Sequence, residues 1–224
     1  MKYKAITIPL LIISVGIGIT YYKTKENMEK KVLPVIQPRD VNPEMVPEEI
    51  SKKGIGHRIG KFEFSNQNNE KITLDDVKGK VFVAEYFFTT CLTICPIMNE
   101  EMKRVQEKFK GNENVKLLSF TVDPEIDTVE QMKRYSVEHN AVDGQWHFLT
   151  GEKEDLYTLA RNSFFVLKPA EARNLGDAGS DFIHTNNFVL VDQELQIRGY
   201  YDGTSTEEVN QMMEDMALLL QENK

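Results

Sequence analysis

The run Val81-Phe82-Val83-Ala84-Glu85-Tyr86-Phe87-Phe88 is rich in β-branched and aromatic residues, which suits a central strand. It leads through Thr89 and Thr90 into Cys91-Leu92-Thr93-Ile94-Cys95-Pro96, which holds the only two cysteines among 224 residues. A disulfide across so short a loop gains little entropy from closure and would staple nothing large. Two thiolates four positions apart can instead converge on one small object, a metal ion or a shared disulfide bond.

The chain around this stretch alternates short apolar runs with amphipathic helices. Phe62–Phe64 and Ile72–Leu74, separated by the Asn-rich Ser65–Asn69, predict a hairpin. Met98, Met102, Val105 and Phe109 share one face of a helix that begins near Pro96 and stops at Gly111. Val115–Val122 predicts a second strand, and Asp127 with Glu130 a capping box for a helix to about His139. Trp146–Leu149 (strand), Glu152–Ser163 (helix), Phe188–Val191 and Ile197–Tyr201 (strands) and Thr206–Leu220 (helix) complete the series, the last with a buried stripe of Val209, Met212, Met213, Met216 and Leu220. Residues 168–181 are small, polar and turn-prone, a functional or mobile loop by their length. The layout is α/β, a mixed central sheet with helices on both faces. A thiol pair ending the first central strand and opening a helix makes it thioredoxin-like.

Ahead of this domain, assigned to residues 55–224, two segments differ in character. Residues 5–22 carry no charge and are long enough to span a bilayer, so residues 1–22 are expected to form an uncleaved membrane anchor. The signal-like layout and the thiol pair place the domain outside the cytoplasm. Residues 23–54 are polar, contain Pro34, Pro38, Pro43 and Pro47, and read as a tether. The first 31 residues hold six lysines and two glutamates, so the remainder carries −12 of the formal −8 charge. A domain that acidic is a poor match for nucleic-acid phosphates.

Cys95 is expected at the helix N-terminus, where unpaired N–H groups and the dipole favour thiolate. Soft thiolates suit Cu(I) or zinc. The natural third donor is His184, just before a strand expected to neighbour Val81–Phe88. Two sulfurs and one nitrogen fit trigonal Cu(I), whereas structural zinc normally takes four ligands. His57, His139 and His147 have no comparable setting, and the helical spacing of Met98 and Met102 points to core packing.

Cys91-x-x-x-Cys95-Pro96, Thr121-Val122-Asp123-Pro124 with Asp127-Thr128, and Asp181-Phe182-Ile183-His184-Thr185 before Phe188–Asp192 together resemble the Sco/SenC copper-delivery proteins of cytochrome c oxidase assembly. The likeness covers roughly residues 55–222 and includes the anchor and tether. It implies copper, Cu(I) or Cu(II), on Cys91, Cys95 and His184, with Asp123 near the site. Leu92-Thr93 stands where the family usually has Pro-Asp, and Thr185 where it has Ser. The implied role is a metallochaperone at the inner (cytoplasmic) membrane, its domain on the periplasmic or extracytoplasmic side. Its partners would be the copper-accepting subunit of a terminal oxidase and an upstream copper donor or thiol reductant. The alternative is a thiol-disulfide oxidoreductase in which Cys91 and Cys95 reduce the acceptor's cysteines. A copper- or redox-sensing module is a third reading.

Overall fold

The computed structural model describes residues 32–52, 54–167 and 186–222. The expected anchor, the loop 168–181 and His184 lie outside them. No helix among the described residues is long and apolar enough to cross a membrane.

The hairpin forms from β1 (Glu63–Ser65) and β2 (Lys71–Thr73), paired antiparallel with Phe64 opposite Ile72. Its tip closes on Asn66, whose Oδ1 accepts from the N–H groups of Asn68 and Glu70 at 2.9 Å, while Asn69 takes the left-handed backbone that asparagine tolerates. Leu74 does not extend the strand. Thr73 and Asp76 cap a single helical turn, Leu74–Val77, there.

The main sheet contains β3 (Val81–Phe87), β4 (Val115–Thr121), β5 (Trp146–Leu149), β6 (Asn187–Val191) and β7 (Ile197–Asp202), in the order β5-β4-β3-β6-β7. β3, β4 and β5 run parallel, and β6 and β7 join antiparallel, so the sheet is mixed as expected. All seven residues of β3 are buried, which requires cover on both faces. Between β3 and β4 comes α1 (Cys95–Lys108); α2 (Val129–Glu138), α3 (Lys153–Leu159) and α4 (Thr206–Glu222) follow in the chain.

Alternate strand residues build two core layers. Phe82, Ala84, Tyr86, Leu118 and Phe120 belong to a cluster with the hairpin's Phe62 and Phe64 and with Phe164. On the other parity, Phe87 meets Tyr135 of α2 and Phe148 of β5, with ring centroids 5.4 Å apart in both cases. Met98 and Met102 are fully buried, which fits packing rather than ligation.

Three helix ends differ from expectation. Asp127 does not cap α2: Thr128 does, accepting from Gln131 N at 3.4 Å, and Asp127 turns inward. The third helix ends at Leu159 and continues as a π-helical turn, Ala160–Phe164, before Phe165 at φ +54°. In α4 Leu219, not Leu220, completes the buried stripe, lying two turns beyond the buried Met212 on the same line of the helix.

Part of the stretch read as a tether lies against the domain. Ile36 N donates to Ile197 O at 2.8 Å, Arg198 Nε to Pro34 O at 3.1 Å, and Val46 joins the core cluster. Its few apolar residues dock singly, so no period announced them. The compact unit begins at Pro34.

An acidic residue sits inside this sheet. Glu85 is fully buried on β3 beside its register partner Ser119, whose hydroxyl donates to Oε1 at 2.5 Å. Trp146 Nε1 donates to the same hydroxyl oxygen at 2.8 Å, while Oε2 has no hydrogen-bond partner among the described residues. Burial outweighs the Ser119 bond and pushes the carboxyl up from 4.5 to about 7. Between those values the folded protein holds a proton that the unfolded chain has released, so stability falls as pH rises through the window, by about 3 kcal/mol in the limit. Glu85→Gln should therefore lose less stability than the parent between about pH 5 and 8 in urea titrations. Parallel curves for the two proteins would show that Glu85 ionises like an exposed carboxyl.

Candidate functional site

β3 and β4 end side by side, with Phe87 opposite Thr121 and one further bond from Val122 N to Phe87 O at 3.0 Å. The chain leaving β3 turns at once, Cys91 N donating to Phe88 O at 3.2 Å, and enters α1 at Cys95. Pro96 sits in the first turn, where no N–H is needed. Ile94 precedes the helix and makes no side-chain capping bond, so the first N–H groups of α1 stay available to another acceptor.

That acceptor is the sulfur of Cys91. It receives backbone hydrogen bonds from Cys95 and Thr93 and lies 3.6 Å from Thr93 Oγ1. Burial alone would raise the thiol, but these bonds and the one with the Cys95 thiol outweigh it and bring Cys91 down from 9.0 to about 7. Cys95 behaves oppositely. It is 2% exposed, and burial drives its thiol far up; a backbone bond from Phe88 opposes this, and the neighbouring Cys91 and Glu85 charges add to it. The expected thiolate at Cys95 is thus corrected. A residue that opens a helix carries its own side chain toward the sheet, whereas a residue four positions earlier can fold back over the N–H groups.

Both cysteines are free and buried, and their thiols hydrogen-bond one another, so the structure brings together the two sulfurs of the expected site. Asp123 lies half-buried in the loop after β4, its N–H donating to Thr121 Oγ1 at 2.9 Å. His184 is outside the described residues. No metal-binding group of three or more His, Cys, Asp or Glu occurs among the described residues. Leu92 projects from between the thiols, 91% exposed.

Two acidic residues near this end have surroundings that the sequence reading did not anticipate. Asp127 is fully buried, and its carboxylate accepts the hydroxyls of Thr89 and Thr121 and the Thr89 N–H, the last at 3.2 Å from each oxygen. Burial still raises its pKa despite these donors. Glu85 is the other, and its signal was a lone acid in an otherwise apolar run.

The fold and the paired sulfurs define a thioredoxin-like domain with a dithiol at the start of its first long helix. The chain matches the SCO1/SenC family over residues 51–221 and belongs to that family. A SCO1 protein homolog of Bacillus subtilis (strain 168) is 32% identical over 167 residues, 74% of this chain and 84% of the relative. The structure of BsSco, described with a disulfide switch and as a member of the Sco family of cytochrome c oxidase assembly proteins, has 30% identity and a TM-score of 0.61, covering 73% of this chain and 93% of BsSco. Bradyrhizobium japonicum ScoI, solved with copper bound, shares the fold at 21% identity and a TM-score of 0.56, over 73% of this chain and 99% of that one.

Alkylation separates the two thiols. In the reduced, metal-free protein, iodoacetamide should label Cys91 at a rate that rises with pH and is half-maximal at about 7, because only the thiolate attacks. Cys95 should stay unmodified until the protein unfolds. Peptide mapping that finds Cys95 labelled first would reverse the assignment.

Proposed function

We propose that this chain carries copper as cargo for the assembly of cytochrome c oxidase, holding one ion with Cys91, Cys95 and His184 and passing it to the oxidase's dicopper centre by ligand exchange. The observation that carries the proposal is a pair of free, buried sulfurs at a helix start, one of them favoured as thiolate near pH 7. Two soft donors of this kind match Cu(I). Membership of the SCO1/SenC family supports copper and oxidase assembly, since BsSco belongs to a family of oxidase assembly proteins and ScoI binds copper. Asp123 would stand near the ion without binding it. Residues 1–22 would anchor the protein in the cytoplasmic membrane with the domain outside, where an upstream donor could load it.

A second reading rests on the difference between the thiols. A low-pKa sulfur on the outer side of the pair, ahead of a more deeply buried high-pKa one, is the order a dithiol reductant uses. Cys91 thiolate would attack a disulfide of the acceptor subunit and release one acceptor thiolate. Cys95 would then displace the second, leaving Cys91–Cys95 oxidised and the acceptor reduced by two electrons. An upstream thiol reductant would restore the pair.

Copper titration of the purified, reduced protein tests the first reading. One Cu(I) should bind per chain, with His184→Ala weakening it by about tenfold or more and Cys91→Ser abolishing tight binding. Unchanged affinity and spectrum in His184→Ala would refute the three-ligand site. Transfer of electrons, without copper, to an oxidised fragment of the oxidase subunit would favour the second reading.

A further inference from the structure

Asp127 carries more hydrogen bonds than a loop residue needs, and α2 uses none of them, because Thr128 caps that helix. Its carboxylate partners are Thr89, two residues before Cys91, and Thr121, the last residue of β4. Gln131 Nε2 donates to Thr89 Oγ1 at 3.1 Å and holds the same threonine from α2. The backbone N–H of Asp127 closes on Asp123 O at 2.8 Å, so the loop that contains Asp123 is wound about the same residue. The carboxylate thus joins the two segments flanking the thiols, one leaving β3 and one leaving β4, just where ladder pairing between those strands has ended.

We infer that Asp127 is a positioning residue for the thiol pair. It locks the Thr89–Cys91 turn to the end of β4 so that the Cys91 sulfur stays over the first N–H groups of α1 and within reach of Cys95. The inference rests on the reading of Cys91 and Cys95 as the reacting pair, but it requires no metal. A buried carboxylate accepting several hydrogen bonds is a stiff tie, and the turn it supports is otherwise closed by the 3.2 Å bond from Cys91 N to Phe88 O. Asparagine at position 127 would put an N–H₂ group against donors. Valine at position 89 would remove one hydroxyl while keeping the backbone N–H.

The test is the equilibrium of the Cys91–Cys95 disulfide in the metal-free full-length protein. Oxidised glutathione takes two electrons from the dithiol and leaves as two glutathione thiols, and thiol counting by mass gives the constant. Asp127→Asn and Thr89→Val should each lower the disulfide's equilibrium constant roughly tenfold or more, because the sulfurs are no longer held in register. Thr89→Ser, which keeps the hydroxyl, should match the parent. Urea midpoints are measured alongside. Variants that lose stability but keep the parental disulfide equilibrium would overturn the inference, leaving Asp127 a structural tie. A Thr89→Ser shift as large as that of Thr89→Val would overturn it as well. If Asp127→Asn does not fold, Thr89→Val decides alone. Because the readout needs no copper, a protein that fails the copper titration still tests the clamp, and a failed clamp leaves the copper site standing.

Discussion

Two parallel strands that finish at the same level, buried on both faces, fix everything at the thiol end of this domain. Phe87 and Thr121 are register partners, and beyond them each chain must leave the sheet. The first departure becomes a tight turn and then α1, and the second a loop and then α2. A helix that begins directly above a strand end presents unpaired N–H groups over the place where the preceding turn passes. Cys91 is in that turn, and its sulfur fills the role an N-cap side chain would otherwise take.

The consequence is a chemical inequality between two identical side chains. One sulfur is solvated by backbone dipoles and the other by the apolar layer beneath α1. The same layer contains Glu85 and Tyr135, whose acidities burial also depresses. Cys95 therefore sits in surroundings that oppose any new negative charge. Charge on the pair collects at the outer sulfur, beside the exposed Leu92, where a partner would arrive.

Much of this was legible from residue patterns. The β-branched and aromatic run gave β3, the spacing of Met98, Met102 and Val105 gave α1, and an Asn-rich link gave the hairpin. What local pattern could not convey was the destination of side chains after the backbone turns. Asp127 has the sequence context of a helix cap, and only the approach of Thr89, from 38 residues earlier, shows its carboxylate facing the thiol loop. Cys95 has the position of a helix-end thiolate, but a residue's place in a helix does not say which way its sulfur points. Val46 and Ile36 belong to a stretch without period and dock as single side chains. His184, the third expected ligand, was legible only as a motif ahead of a strand, and it lies outside the described residues.

The side chain of Gln67, at the hairpin tip, bears on how this protein meets others. It is 2% exposed, its Nε2 donates to Trp146 O and its Oε1 accepts from Phe148 N, both at 2.9 Å, so an amide occupies the outward hydrogen-bonding groups of β5 as a neighbouring strand would. Ser65 and Thr150 extend that cover, and Ile36 meets β7 on the opposite side. Where the chain itself takes up these outer groups, along β5 and at Ile197, strand-to-strand addition by another molecule is discouraged. A hairpin-tip amide and the stretch ahead of the domain thus serve the sheet twice, completing its hydrogen bonding and blunting edges that would otherwise invite aggregation.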